Sequence, residues 1–164
     1  MNSTRKAAII VGVFYILAAV AGILSAVFGP DTDALDYLAK LSANQNRVMT
    51  GALLEFTMAV MIVGISIYLY PILNKYYETL AFGYVVFRTI EVVILAFCAI
   101  SLLILLTLSQ DFVLAGTPDN SWFQTSGNLL LAAREWGGGV FSAIVFSLSA
   151  LILNFILYRS LLIP

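Results

Sequence analysis

LAFGYVVFRTIEVVILAFCAISLLILLTL, residues 80–108, decides the fold. The run is apolar almost throughout, and its only ionisable charges are Arg88 and Glu91. About 20 apolar residues suffice to cross a hydrocarbon core of about 30 Å. This run is longer, so it predicts a transmembrane helix that is tilted or that projects beyond the core.

Three further runs flank it. Residues 7–28 contain no charge, follow Arg5 and Lys6, and end at Gly29 and Pro30. The cleavage-like Ala19-Val20-Ala21 lies inside this run, which continues past it, so a retained helix is expected and not a signal peptide. Residues 48–70 contain Glu55 and are closed by Pro71. Residues 126–158 carry Arg134 and Glu135 just before their charge-free part, which places that pair near the membrane surface. The fold class is therefore all-α: a polytopic membrane bundle of four transmembrane helices in one domain, residues 1–164.

The connections are polar. In the first, Leu35, Leu38 and Leu41 recur at helical spacing, while Asp33, Asp36 and Lys40 take other faces. This predicts a short interfacial helix capped by Asp31 or Thr32. Gly116, Thr117 and Pro118 mark the last loop as a turn.

Composition agrees with lipid as the solvent. Hydrophobic residues make up 62% and charged residues 10%, against roughly 25% charged in a soluble domain. A globule of this size could not hide so much apolar surface from water. The net charge is −1 and no basic run exceeds Arg5-Lys6, which argues against a nucleic-acid partner. There is no His and a single Cys, Cys98. That excludes an internal disulfide and a Ser-His hydrolase, and it leaves no ligand set for a His/Cys metal site. Gly137-Gly138-Gly139 has neither the strand nor the Gly-Lys-Ser/Thr of a phosphate loop, so it is expected to kink a helix or admit a neighbour. No cofactor is implied.

Basic residues give the orientation. Arg5, Lys6, Lys75 and Arg159 fall on one side, and Lys40 and Arg47 on the other. The positive-inside rule then puts both termini in the cytoplasm. Tyr76, Tyr77 and Tyr158 would mark the inner interface, and Tyr37 and Trp122 the outer one. Small residues recur every fourth position at Ala18, Gly22 and Ala26 and again at Gly139, Ala143 and Ser147, where another helix can approach closely.

Glu55, Arg88 and Glu91 are the most informative residues. An unpaired charge at mid-bilayer costs at least about 2.5 kcal/mol, so each must turn inward and find a partner. Arg88 and Glu91 are three apart and share a helix face. One connected cluster is expected, with Arg88 bridging Glu55 and Glu91, and Arg134 balancing a surplus carboxylate. With Glu135, three carboxylates would face two guanidinium groups, an excess that burial would neutralise with a proton. Two readings stand side by side. The cluster is a polar cavity for a small ligand or a proton, or it only fixes helix register. Asn128 and Asn154 are expected to bond across helices.

Several segments carry a family resemblance. They are Asn2-Ser3-Thr4-Arg5-Lys6-Ala7-Ala8, Ala18-Ala19-Val20-Ala21-Gly22-Ile23-Leu24, Gly51-Ala52-Leu53-Leu54-Glu55, Tyr70-Pro71-Ile72-Leu73, and Gly83-Tyr84-Val85-Val86-Phe87-Arg88-Thr89-Ile90-Glu91. The chain resembles the bacterial integral membrane family called domain of unknown function 4386. The resemblance implies the bacterial inner membrane and matches Glu55, Arg88, Glu91, Arg134 and Glu135 to polar positions of the family's membrane core. Family members continue past Leu162-Ile163-Pro164 with about two more hydrophobic helices. The resemblance thus implies that C-terminal helices are lacking here and that self-association covers an exposed face.

Three functions follow as expectations. The first is a binding or transport-like module for a small ligand or proton, its partner otherwise being the bilayer. The second is a structural or accessory protein that associates with itself or with other membrane proteins. A membrane-embedded enzyme using a Glu pair as acid and base ranks last.

Overall fold

The computed structural model describes residues 3–29, 36–117 and 122–161. Helix α1 spans Ser3–Phe28, α2 Tyr37–Ala43, α3 Gln45–Leu73, α4 Glu78–Leu114, α5 Trp122–Arg134 and α6 Ser142–Arg159. A π-helical segment, Glu135–Phe141, joins α5 to α6 without a break. Four stretches are long and apolar enough to cross a membrane: Arg5–Phe28, Gln45–Leu73, Glu78–Leu114 and Trp122–Arg159. The architecture is the expected polytopic all-α bundle with one short extra helix.

The helices outrun the apolar stretches. Apolar runs end where lipid ends, but backbone hydrogen bonding continues past that point. Helix α4 has 37 residues, about 55 Å at 1.5 Å each, against a core of about 30 Å. Pro71 does not stop α3, which continues to Leu73. It sits in the last turn, where a missing N–H removes a single hydrogen bond.

Helix α4 is the spine. Ten of its thirteen buried residues, Ala81, Tyr84, Arg88, Glu91, Leu95, Cys98, Leu102, Leu105, Ser109 and Phe112, are separated alternately by three and four positions. A period of 3.5 keeps one stripe facing its neighbours along the helix, the geometry of left-handed bundles. Helices α2, α3, α5 and α6 all pack on α4, and α1 lies mainly on α3. The α1–α3 approach is close. A Cβ at Gly64 would lie 2.5 Å from the Phe14 ring, so only glycine fits there without movement.

Helix α2 closes one end of the bundle. Tyr37, Leu38 and Leu41 join Val48, Leu105 and Phe123 in one core. The leucines thus find protein partners in α4 and α5. Tyr37 is buried and not an interface anchor; its hydroxyl donates to Asn128 Oδ1 at 3.0 Å. Lys40 pairs with exposed Asp36 at 3.0 Å, and this contact holds the Asp36 carboxyl below its ordinary value. The expected caps Asp31 and Thr32 lie outside the described residues. Tyr76, Tyr77, Tyr158 and Trp122 are exposed near helix ends, as interface anchors should be.

The fourth span carries one residue more than a regular stripe. Its inward positions run Phe123, Gly127, Leu130, Arg134, Gly138, Ser142, Val145, Ser149, Ile152 and Ile156. The steps of three and four alternate except from Arg134 to Gly138, where four replaces three. The π-helical turn absorbs the surplus: the Ser142 N–H bonds the Gly137 carbonyl, five residues back. The small-residue stripes are only partly used. Ala18 is buried, but Ala26, Gly139, Ala143 and Ser147 are exposed.

Candidate functional site

The five candidate residues form two ion pairs and one exposed side chain. Arg88 Nη1 meets Glu91 Oε2 at 2.9 Å, and Arg134 Nη2 meets Glu55 Oε2 at 3.2 Å. Arg88 makes no ion pair with Glu55, so the single bridged cluster expected from sequence is not formed. The reason is spacing on α4. Arg134 reaches the Cys98 carbonyl, and Cys98 lies two turns beyond Glu91, about 10 Å along the helix. An apolar layer of Ala59, Ile62 and Leu95 fills that interval. Glu135 is exposed because it lies one residue, about 100° around the helix, from the inward-facing Arg134, on the outward side. Two carboxylates therefore face two guanidinium groups, and the anticipated surplus charge is absent from the interior.

The bundle is thus layered. The α2-capped core comes first, then Glu55–Arg134, then the Ala59/Ile62/Leu95 layer, then Arg88–Glu91, and last a core of Leu73, Ala81, Tyr84 and Ile156. Each polar layer has a different character.

Arg88–Glu91 is sealed, with side chains 3% and 6% exposed. Arg88 Nη2 also donates to the Tyr15 hydroxyl at 3.1 Å, which ties α1 to α4. The guanidinium carbon lies 5.1 Å from the Phe146 ring centre, 5.6 Å from that of Tyr84 and 6.0 Å from that of Tyr15. Three aromatic rings from α1, α4 and α6 therefore surround one cation, an attractive arrangement away from water. Arg88 Nε and the buried Tyr84 hydroxyl have no hydrogen-bond partner. A buried polar group left unpaired costs about 1–3 kcal/mol.

Glu55–Arg134 is more accessible, with side chains 12% and 19% exposed. It lines a cavity of about 380 Å³ together with Ser25 of α1, Gly29 just past the end of α1, Cys98 of α4 and Gly138 of the π-helical segment. The Arg134 guanidinium is held twice, by Glu55 across to α3 and by the Cys98 carbonyl of α4. The glycines matter here. A Cβ at Gly138 would sit 3.3 Å from Cys98 Sγ, so the widened turn can lie directly on α4.

Sequence reading missed Tyr15, Tyr84 and Cys98 as members of these layers. The signal was present for two of them: Tyr84 and Cys98 lie seven residues on either side of Glu91, on the 3.5-residue stripe. Nothing local marks Tyr15, whose role depends on how α1 docks. Asn128 bonds across helices as expected, but Asn154 returns to the Ala150 carbonyl of its own helix.

A carboxylate and a guanidinium on one cavity wall can bind a molecule bearing both charges, or can exchange a proton with it. No imidazole is available to act as a base, since the chain contains no His. The family model described as "Domain of unknown function (DUF4386)" matches residues 10–164. No curated protein and no solved structure matches the chain.

Proposed function

The chain belongs to the DUF4386 family, and from that premise we propose that it is a membrane-embedded binding module of transport-like character. Its small polar ligand, or a proton, engages Glu55 and Arg134. One observation carries the reading: the Glu55–Arg134 pair is partly accessible and walls a cavity of about 380 Å³, a volume suited to a small metabolite. Intramembrane ion pairs that only fix register need no such space.

The test is ligand-induced thermal stabilisation in lipid nanodiscs, followed by flux in proteoliposomes. A panel of small amino acids and carboxylates is applied to wild type, Glu55→Gln and Arg134→Gln. At least one compound should stabilise wild type and neither variant. Identical behaviour of all three proteins across the panel rejects the reading.

Orientation and location belong to the same proposal. The four-to-two excess of basic residues supports a reading with both termini in the cytoplasm, and the membrane proposed is a bacterial cytoplasmic one. The cavity, at the α2-capped end, would then open toward the outside. Lys75→Cys and Lys40→Cys, each made with Cys98→Ala, should label from opposite sides of intact cells.

A second reading, self-association, is favoured by Gly139, Ala143 and Ser147. All three are exposed on one face of the fourth span, where a second copy could pack closely. Crosslinking through Cys at position 143 would detect it, and a monomer at all protein-to-lipid ratios would exclude it.

A further inference from the structure

The surplus residue of the fourth span gives its middle two possible registers. Spaced regularly down from Phe123, the inward face takes Gly127, Leu130 and Arg134. Spaced regularly up from Ile156, it takes Ser142, Gly138, Glu135 and Leu131. The two spacings disagree over two places only: Leu130 or Leu131, and Arg134 or Glu135. With the wide turn after Arg134, the first residue of each pair faces inward. With the wide turn between Gly127 and Leu131, the second would.

Both ends of this stretch are pinned. A Cβ at Gly127 would collide with the Tyr37 hydroxyl, so rotating the start of α5 would drive a side chain into α2. Ser149 and Ile156 of α6 are fully buried, so that half is fixed as well. The stretch between them is permissive. Leu130 and Leu131 are both half-buried and both pack on the same core, so exchanging them loses little apolar burial. A Cβ at Gly137 or Gly139 would meet nothing closer than 3.6 Å, so the glycines can rewind without collision. Arg134 would move to the half-buried place of Ala133, from which its long side chain can reach the polar surface.

One exchange alters the chemistry. Arg134 stands beside Glu55 on the cavity wall, and Glu135 would replace it there. A carboxylate and a guanidinium would become two carboxylates. We propose that the wide turn slides one step along the fourth span and so exchanges Arg134 for Glu135 on the cavity wall. The shift leaves Gly127, Gly138 and everything beyond them in place. Wide turns of this kind recur at functional sites, and helix register shifts run on microsecond to millisecond timescales. A positively charged ligand would favour the second register, because it binds two carboxylates better than an ion pair. The device regulates the cavity read above as a ligand site, but its test needs no ligand and stands if that reading fails.

The experiment uses native Cys98, whose Sγ lies 3.9 Å from the Arg134 carbonyl. The full chain in nanodiscs receives one equivalent of methanediyl bismethanethiosulfonate, a short reagent that bridges two thiols, and intact mass is followed over time. Arg134→Cys should bridge to Cys98 at once. Glu135→Cys now points outward, so it should bridge more slowly, each slide of the turn being captured. Deleting Gly137 removes the surplus residue, so Glu135→Cys in that chain should be capped and not bridged. Glu55→Gln loosens Arg134, so it should speed bridging of Glu135→Cys about fivefold. No bridge in Glu135→Cys, with the Arg134→Cys bridge formed, overturns the proposal, because the turn is then fixed. Equal bridging with and without Gly137 overturns it, because the helix then yields without any surplus. A rate unchanged by Glu55→Gln overturns the exchange of Arg134. Loss of cooperative thermal unfolding on deletion of Gly137 overturns the surplus itself.

Discussion

Arg134 donates to Glu55 at 3.2 Å across 79 positions of sequence, so this one contact ties the fourth span to the second. Arg88 and Glu91, by contrast, pair within a single helix. The two ion pairs thus differ in what they hold together. They differ equally in how exposed their side chains are, and that difference organises the expected outcomes of mutation.

Removing one partner of the sealed pair should be severe. Arg88→Leu strands the Glu91 carboxylate among aromatic and aliphatic side chains, and a broken buried pair costs about 3–5 kcal/mol. Arg88→Leu combined with Glu91→Leu should recover much of the loss, because neither charge remains. Unfolding of wild type and of both variants in nanodiscs measures this. A double variant as unstable as the single one would show that the Tyr15 contact, and not the ion pair, governs stability.

The more accessible pair should behave more mildly. Glu55→Gln keeps an acceptor for Arg134, and the Cys98 carbonyl still holds the guanidinium. The expected loss is about 1 kcal/mol, within the range for a partly solvated pair. A loss as large as that of Arg88→Leu would mean the cavity is dry.

Close packing of α1 on α3 gives a third prediction. Gly64→Ala forces the new Cβ against Phe14, and overpacking of this kind typically costs about 1–3 kcal/mol. Phe14→Leu in the same chain should relieve it. If Gly64→Ala alone is neutral, the ring moves freely and α1 is more loosely seated than its contacts imply.

Helix α2 should come loose in strong alkali. Burial pushes the Tyr37 phenol above its ordinary value of 10.0. A raised value in the folded state means that the stabilisation is complete below about pH 10 and fades as pH rises through the folded value. The phenolate absorbance of wild type minus that of Tyr37→Phe should therefore show a component that titrates later than free tyrosine. A component at or below pH 10 would contradict the burial of Tyr37.

Much of this fold was legible because lipid imposes simple rules. Charge-free length marked the spans, and the helix in the first connection followed from Leu38 and Leu41. The cost of intramembrane charge pointed to Glu55, Arg88, Glu91 and Arg134. Pairing was not legible. Glu55 could reach either arginine in principle, and the choice depends on the thickness of the Leu95 layer, which no single segment encodes. Glu135 was misassigned to the interior because neighbours in sequence point about 100° apart on a helix, so both cannot face the core. Tyr15 carries no local sign at all. Its hydroxyl matters only because α1 docks at an angle that brings it to Arg88.

The surplus residue between Arg134 and Ser142 has one last consequence. Elsewhere in the spans, dropping a single residue would turn everything downstream by about 100° and point its buried side chains at lipid. Dropping one glycine from 137–139 would instead bring the fourth span into step, as an ordinary α-helix with both halves still seated on α4. Related chains one residue shorter at this point should keep the same fold while losing the wide turn beside Cys98. Chain length is negotiable here alone within the fourth span, and the slack sits against the cavity.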